Sequence, residues 1–316
     1  MAFRIDRLSA PLLVTWQLTR DCDLACLHCC TDSAPGKRLA DELTREEALK
    51  LAADIVAVNV PYVMLCGGEP LVCPHFFEIA ELLGQAGVDL KIETNGQRLD
   101  AAAAQRLADL PIRSIQVSLD GDTPDVYARQ RPGGSLEKAQ AACRAIVAAG
   151  LPLEITFAPT RMNIHEAGAV IARARALGAF RFNSGRLMRI GTAARHWSRV
   201  EPSEEEYSRF RGVLARESAI PGIELCYEPF TVQEGLRRAA VEPPATLLVL
   251  PNGWVKAAAA LPHVCADLRR VSLSEAWNDY RRAWREATMT AAVHDAIADE
   301  GRHGEANAWR LLPINV

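Results

Sequence analysis

Three cysteines, Cys22, Cys26 and Cys29, stand within the eight residues Cys-Asp-Leu-Ala-Cys-Leu-His-Cys. Thiolates are the usual protein ligands of iron–sulfur clusters, and a Cys-x3-Cys-x2-Cys spacing lets one short loop present three of them to a single cluster. Three ligands for a four-iron cube leave one iron open to another molecule. Taken alone, the loop also suits zinc. Cys30, adjacent to Cys29, is expected to point away from the cluster.

The chain has 316 residues and nine cysteines, an odd number clustered toward the N-terminus, which favours metal ligation over a disulfide framework and implies a reducing compartment. The first residues carry no signal-peptide apolar run and no apolar run of membrane-spanning length occurs, so a cytoplasmic protein is expected. Apolar residues make up 49% and charged residues 24%, which excludes a disordered or fibrous chain. A net charge of −3 gives no electrostatic case for nucleic acid or an anionic membrane as partner.

The elements that must position the cysteines follow from the hydrophobic pattern. Pro11 to Thr19 reads as a strand running into the cysteine loop. Thr44 and Glu47 form a capping box for a helix to about Ala57. Strands are expected at Tyr62–Cys66, Asp89–Glu93, Ser114–Leu119, Leu153–Phe157 and Phe180–Asn183, each separated from the next by an amphipathic helix. This βα repetition predicts a parallel sheet, with ligand-binding loops at the strands' C-terminal ends. Six such units predict an α/β fold, a partial (β/α)6 parallel barrel over residues 1–200. Beyond the boundary, expected near residues 195 to 205, a small C-terminal α+β cap is read over 201–316. It begins with an acidic-capped helix from Glu201 and contains a hairpin turning at Pro251-Asn252-Gly253 and a last helix from Ser274 to about Thr288.

The residues at successive strand ends resemble those of the radical S-adenosylmethionine (radical SAM) superfamily. Cys66-Gly67-Gly68-Glu69-Pro70 is similar to the family's GGE motif, Thr94-Asn95-Gly96 to its T-N-G turn, and Ser118-Leu119-Asp120-Gly121 to its S-x-D-G strand ending. Arg131 and Asn163 are further carry-overs, and His28 stands where many members have an aromatic ring over adenine. The resemblance implies one 4Fe-4S cluster on Cys22, Cys26 and Cys29 whose open iron chelates the methionine amine and carboxylate. Reductive cleavage of S-adenosylmethionine then yields a 5′-deoxyadenosyl radical. It further implies that Gly67 and Gly68 approach the methionine moiety, that Glu69 accepts from its amine, and that Ser118 and Asp120 bond ribose or methionine groups. An external one-electron reductant of the flavodoxin or ferredoxin type is implied as a partner.

The C-terminal segment resembles a SPASM or twitch domain, through Val249 to Lys256 and Ser272 to Asn278. The expected cysteine after Gly253 falls on Ala258, however, and only Cys226 and Cys265 remain in this region, so auxiliary clusters are not expected. The subgroup implies hydrogen-atom abstraction from a ribosomally made peptide or another natural-product or cofactor precursor. A redox-neutral epimerase or a dehydrogenase on a sugar-like molecule is the alternative, with Cys66, Cys73, Cys226 and Cys265 as candidate hydrogen donors. A non-catalytic iron–sulfur scaffold is the alternative of another class. Arg186, Arg189 and Arg195 are candidates for holding a carboxylate or phosphate. No peptide-binding winged-helix module is expected before the barrel, since the first strand starts at Pro11.

Overall fold

A computed structural model of the chain describes residues 5–312. The first two thirds alternate strand and helix: β1 (Leu13–Gln17), α1 (Arg45–Ala57), β2 (Tyr62–Cys66), α2 (Phe76–Gln85), β3 (Asp89–Thr94), α3 (Ala101–Ala108), β4 (Ile112–Ser118), α4 (Pro124–Gln130), α5 (Leu136–Ala148), β5 (Leu153–Phe157), α6 (Ala167–Ala176) and β6 (Arg181–Gly185). Two short helices follow, α7 (Thr192–Arg195) and α8 (Trp197–Val200), then α9 (Glu204–Glu217), β7 (Glu224–Glu228), α10 (Val232–Val241) and the hairpin β8 (Thr246–Val249) with β9 (Trp254–Lys256). The described chain closes with β10 (His263–Asp267), α11 (Leu273–Ala283), α12 (Ala287–Ala298) and β11 (Arg310–Leu311).

All strands join one sheet in the order β11-β10-β9-β8-β1-β2-β3-β4-β5-β6-β7. From β8 to β7 every neighbouring pair is parallel. The antiparallel pairs are β8 with β9 and β9 with β10. The six expected strands form the centre of the parallel run, and the α/β partial-barrel architecture with antiparallel C-terminal strands is the one observed. Two strands read as cap extend it: β7 lies beside β6 and β8 beside β1. The boundary expected near residue 200 therefore falls between two neighbouring strands of the same sheet. The helix expected from Ser274 to Thr288 ends at Ala283, and a separate α12 follows.

Local chemistry explains the helices that carry this sheet. The Thr44 hydroxyl accepts from Glu47 N while the Glu47 carboxylate accepts from Thr44 N, which satisfies two backbone donors otherwise orphaned at the start of α1. Ala48, Leu51, Ala52 and Ile55 then recur at helical spacing and are buried. Ser203, Thr231 and Ser272 make the same reciprocal caps for α9, α10 and α11.

Strands in the interior of a parallel sheet usually read as continuous apolar runs. Here they alternate. Val14, Trp16, Val63, Leu65, Leu90, Ile92, Ile115, Val117, Ile155 and Phe182 are all buried in the apolar core beneath the helices. The intervening positions are polar: Thr15, Gln17, Cys66, Glu93 and Ser118 line a cavity. Deeper on the same side, Lys91 and Asn183 both donate to Glu154, at 2.8 and 2.7 Å, and Asn183 and Glu93 are bridged by Gln116. Among the described residues, no helix is long and apolar enough to cross a membrane.

Candidate active site

The cysteine loop leaves the C-terminal end of β1 and is held by β2's following turn. Gly68 N donates to Thr19 O at 2.7 Å, and Glu69 N to Asp21 O at 3.0 Å. Gly67 has φ +143°, and a Cβ there would meet Thr19 O at 2.7 Å; a Cβ on Gly68 would stand 2.0 Å from Asp21 O. Both positions require glycine because the cysteine loop's own backbone fills the space beside them. Both glycines also border the cavity.

Cys22, Cys26 and Cys29 all line this cavity, whose volume is about 500 Å³. Among the described residues, no three His, Cys, Asp or Glu side chains gather closely enough to hold a single metal ion. The three cysteines border one shared cavity, and a polynuclear cluster, unlike a single ion, can bridge thiols that stand apart. Burial pushes the Cys22 thiol up to about 12 and the Cys26 thiol up to about 11, so metal ligation displaces protons. Two donors are aimed at the sulfurs: Asn95 Nδ2 at Cys22 Sγ, 3.7 Å, and Arg131 Nη1 at Cys26 Sγ, 3.6 Å. Cys30 also borders the cavity, beside Glu93 and Lys256 rather than Cys22 or Cys26.

The expected cofactor residues divide into two layers. His28, Gly67, Gly68, Thr94, Asn95, Ser118 and Arg131 border the cavity. Glu69, Asp120 and Asn163 do not: each is wholly buried, with its polar atoms already bonded. Glu69 accepts from the Thr94 hydroxyl at 2.7 Å, Asn95 N at 2.8 Å and Leu71 N at 3.2 Å. Burial nevertheless outweighs these bonds and raises its carboxyl to about 7. Asp120 accepts from Arg131 at 2.6 and 2.7 Å and from Ala158 N at 2.7 Å, and its carboxylate lies 3.2 Å from His28 Nε2. Burial alone would raise Asp120; Arg131, then His28, override it and hold the carboxyl at about 2. Asn163 Nδ2 donates to the carbonyls of Asp120 and Ala158, both at 3.0 Å. Asp120 and Asn163 stand behind the cavity lining, where they hold Arg131, His28 and the ends of β4 and β5.

Sequence reasoning missed two members of this support. Gln130 Nε2 meets His28 Nδ1 at 2.9 Å, and Thr160 donates to Gln130 Oε1 at 2.8 Å. Both His28 ring nitrogens are therefore engaged. Nothing in the local pattern marks Gln130, which closes the unexpected helix α4.

A profile of the radical SAM superfamily matches residues 16–168. A PqqA peptide cyclase from Ruegeria pomeroyi is 30% identical over 275 residues, covering 82% of this chain and 71% of that one. The chain belongs to the radical SAM superfamily. A mycofactocin maturase, MftC, from Mycobacterium ulcerans is 35% identical over 197 residues, 62% of this chain and 53% of the relative. The radical SAM chain thus spans about half the length of that curated relative. In fold it is similar to Streptococcus suis SuiB bound to S-adenosylmethionine, with TM-score 0.66 and 12% identity over 96% of this chain and 69% of SuiB.

Membership implies a 4Fe-4S cluster and S-adenosylmethionine, and the residues present fit both. Three thiols share one cavity, two of them beside side-chain N–H donors, and the cavity is in the usual size range for small-ligand sites. The remaining candidates are placed as follows. Of the proposed hydrogen donors only Cys66 borders the cavity. Cys73 is buried in the core, and Cys265 turns its thiol to Val255 O at 3.3 Å on β10. Cys226 sits on β7, with its thiol 3.7 Å from Glu224. Arg186 pairs with Glu204 and Arg195 with Asp32, so both guanidinium groups already have carboxylate partners. Arg189 lies over the Trp197 ring.

Proposed function

We propose that this chain is a single-cluster radical SAM enzyme acting on a ribosomally made peptide or another natural-product or cofactor precursor. The observation that carries the proposal is the continuous cavity joining the three cysteine thiols to the polar inner positions of β1 to β4. With cluster and S-adenosylmethionine bound, the chemistry supplied is a 5′-deoxyadenosyl radical that removes a hydrogen atom from substrate. Cys22, Cys26 and Cys29 hold the cluster; Gly67, Gly68, Asn95, Ser118 and Arg131 form the wall against which S-adenosylmethionine is oriented; Glu69, Asp120 and Asn163 keep that wall rigid. Residues 1–200 carry this machinery, and residues 201–316 contribute the substrate side. An external one-electron reductant supplies the electron.

The peptide reading is supported by the relatives' own names, a mycofactocin maturase and a PqqA peptide cyclase, and by SuiB having been solved with its precursor peptide SuiA. The single-cluster reading rests on the degenerate SPASM-like segment. Ala258 occupies the expected cysteine position, and Cys226 on β7 and Cys265 on β10 stand near opposite ends of the sheet order.

The experiment is anaerobic reconstitution with iron and sulfide, reduction by dithionite, and assay for 5′-deoxyadenosine. Formation well above a Cys26→Ala control is expected; no excess would overturn the enzyme reading and favour a scaffold. The position of Cys66 favours one second reading, redox-neutral epimerisation. In it the substrate carbon radical takes the Cys66 thiol hydrogen, and the resulting thiyl is restored by one electron and one proton from reductant and solvent. Turnover in deuterated water would then place one deuterium in product, and none with Cys66→Ala.

A further inference from the structure

The buried charge that the cofactor machinery leaves unused is Lys256, at the end of β9. It is 3% exposed yet borders the cavity. Lysine is rarely buried without a paired anion. Its ammonium makes one short bond, to Ala259 O at 2.7 Å, and one long contact, to Asn307 Oδ1 at 3.5 Å.

The acid whose charge reaches it is committed elsewhere. Asp32 takes Arg195 at 2.6 Å, Arg20 at 3.6 Å and Asn307 Nδ2 at 2.8 Å. Asn307 Nδ2 also donates to Cys30 O at 2.9 Å, so its amide is fixed with the oxygen toward the lysine. Lys256 is thus oriented by an acceptor but has no carboxylate within ion-pair distance among the described residues. Ala257, Ala258 and Ala259 continue the cavity wall from Lys256 with small side chains. The cavity's own carboxylate, Glu93 on β3, is bonded by Gln116 Nε2 at 3.0 Å and lies four strands from β9 in the sheet order.

We propose that Lys256 anchors a carboxylate of the substrate, holding it against the β9 wall beneath the Cys29–Cys30 end of the cysteine loop. This rests on the reading that the cavity admits the substrate, and it narrows the substrate class to molecules carrying a carboxylate, whether a peptide C-terminus, an acidic side chain or a carboxyalkyl group. The methionine carboxylate of S-adenosylmethionine is the other source of the same chemistry, and the test separates the two.

The probes are 3-phenylpropionate and its uncharged amide, measured by ligand-observed NMR against the reconstituted protein with S-adenosylmethionine. The acid is expected to bind at least tenfold more tightly than the amide. That preference should fall to within twofold in Lys256→Met and persist in Lys256→Arg. Equal binding of acid and amide, or a preference that survives in Lys256→Met, would overturn the proposal. A tenfold loss of S-adenosylmethionine affinity in Lys256→Met would also overturn it, by assigning the lysine to the cofactor's carboxylate. The melting temperature of Lys256→Met should equal or exceed that of the parent, whereas a structural lysine would give a lower one. Formation of 5′-deoxyadenosine by the same preparation reports on the radical reading separately, so failure of one is distinguishable from failure of the other.

Discussion

The two walls of the cavity are built on opposite plans. Along the ends of β2 to β5, the buried carboxylates are fully partnered: Glu69 has three donors, and Asp120 is clamped by Arg131, His28 and Ala158 N. Along β9 a buried ammonium has one short bond and four alanines after it. A satisfied polar network is rigid and fixes one geometry, whereas an unpaired buried charge is costly until a partner arrives. The first wall suits a ligand that never changes, and the second a ligand that gives this chain its own specificity.

Breaking the first wall should have the largest effect. Arg131→Met leaves the Asp120 carboxylate buried with only its histidine and backbone partners, a loss of about 3–5 kcal/mol by the usual cost of stripping one member from a buried pair. Denaturant unfolding of the anaerobic apoprotein measures it, and a change below about 1 kcal/mol, the range of exposed pairs, would show that the wall is not preorganised as described. Gly68→Ala comes next. Its Cβ would sit 2.0 Å from Asp21 O, so the loop backbone must move. A cost of about 1–3 kcal/mol is expected from overpacking, with reduced iron uptake on reconstitution.

The second wall should respond in the opposite direction. Burial lowers the Lys256 ammonium to about 8 from its ordinary 10.5. The unfolded chain therefore binds this proton more tightly than the folded one. The resulting penalty, about 3 kcal/mol, is full below pH 8 and is relieved as pH rises from 8 to 10.5. Lys256→Met should remove that segment of the stability–pH curve and leave neutral-pH stability equal or higher. Urea titrations at pH 7, 9 and 10.5 sharpen the contrast; a drop in neutral-pH stability would erase it.

The sequence made the first wall readable and the second nearly invisible, for physical reasons. Strand ends of the barrel are punctuated by Gly67-Gly68, Asn95-Gly96 and Asp120-Gly121, so order and type of elements follow from local pattern. What pattern does not show is which way a side chain turns at a strand end. Glu69 and Asp120 were identifiable as site residues, but not as residues standing behind the wall. Strand pairing over long range was equally hidden: nothing near Glu224 or Thr246 announces that β7 and β8 flank opposite edges of the expected barrel. The break between α11 and α12 lacks Gly or Pro, so one helix was expected where there are two. Nothing in Trp-Val-Lys-Ala-Ala-Ala says that the Lys256 ammonium is buried at a cavity rather than solvated. Its long-range contact, Asn307, lies 51 positions away, beyond any local reading.

The central claim is that one cluster, on one loop, carries the redox chemistry of the whole chain. Iron and acid-labile sulfide analysis of the reconstituted protein tests it most directly. The account predicts close to four of each per chain, falling to background when Cys22, Cys26 and Cys29 are all replaced by alanine. Eight or more of each, or a full complement retained in the triple variant, would contradict it.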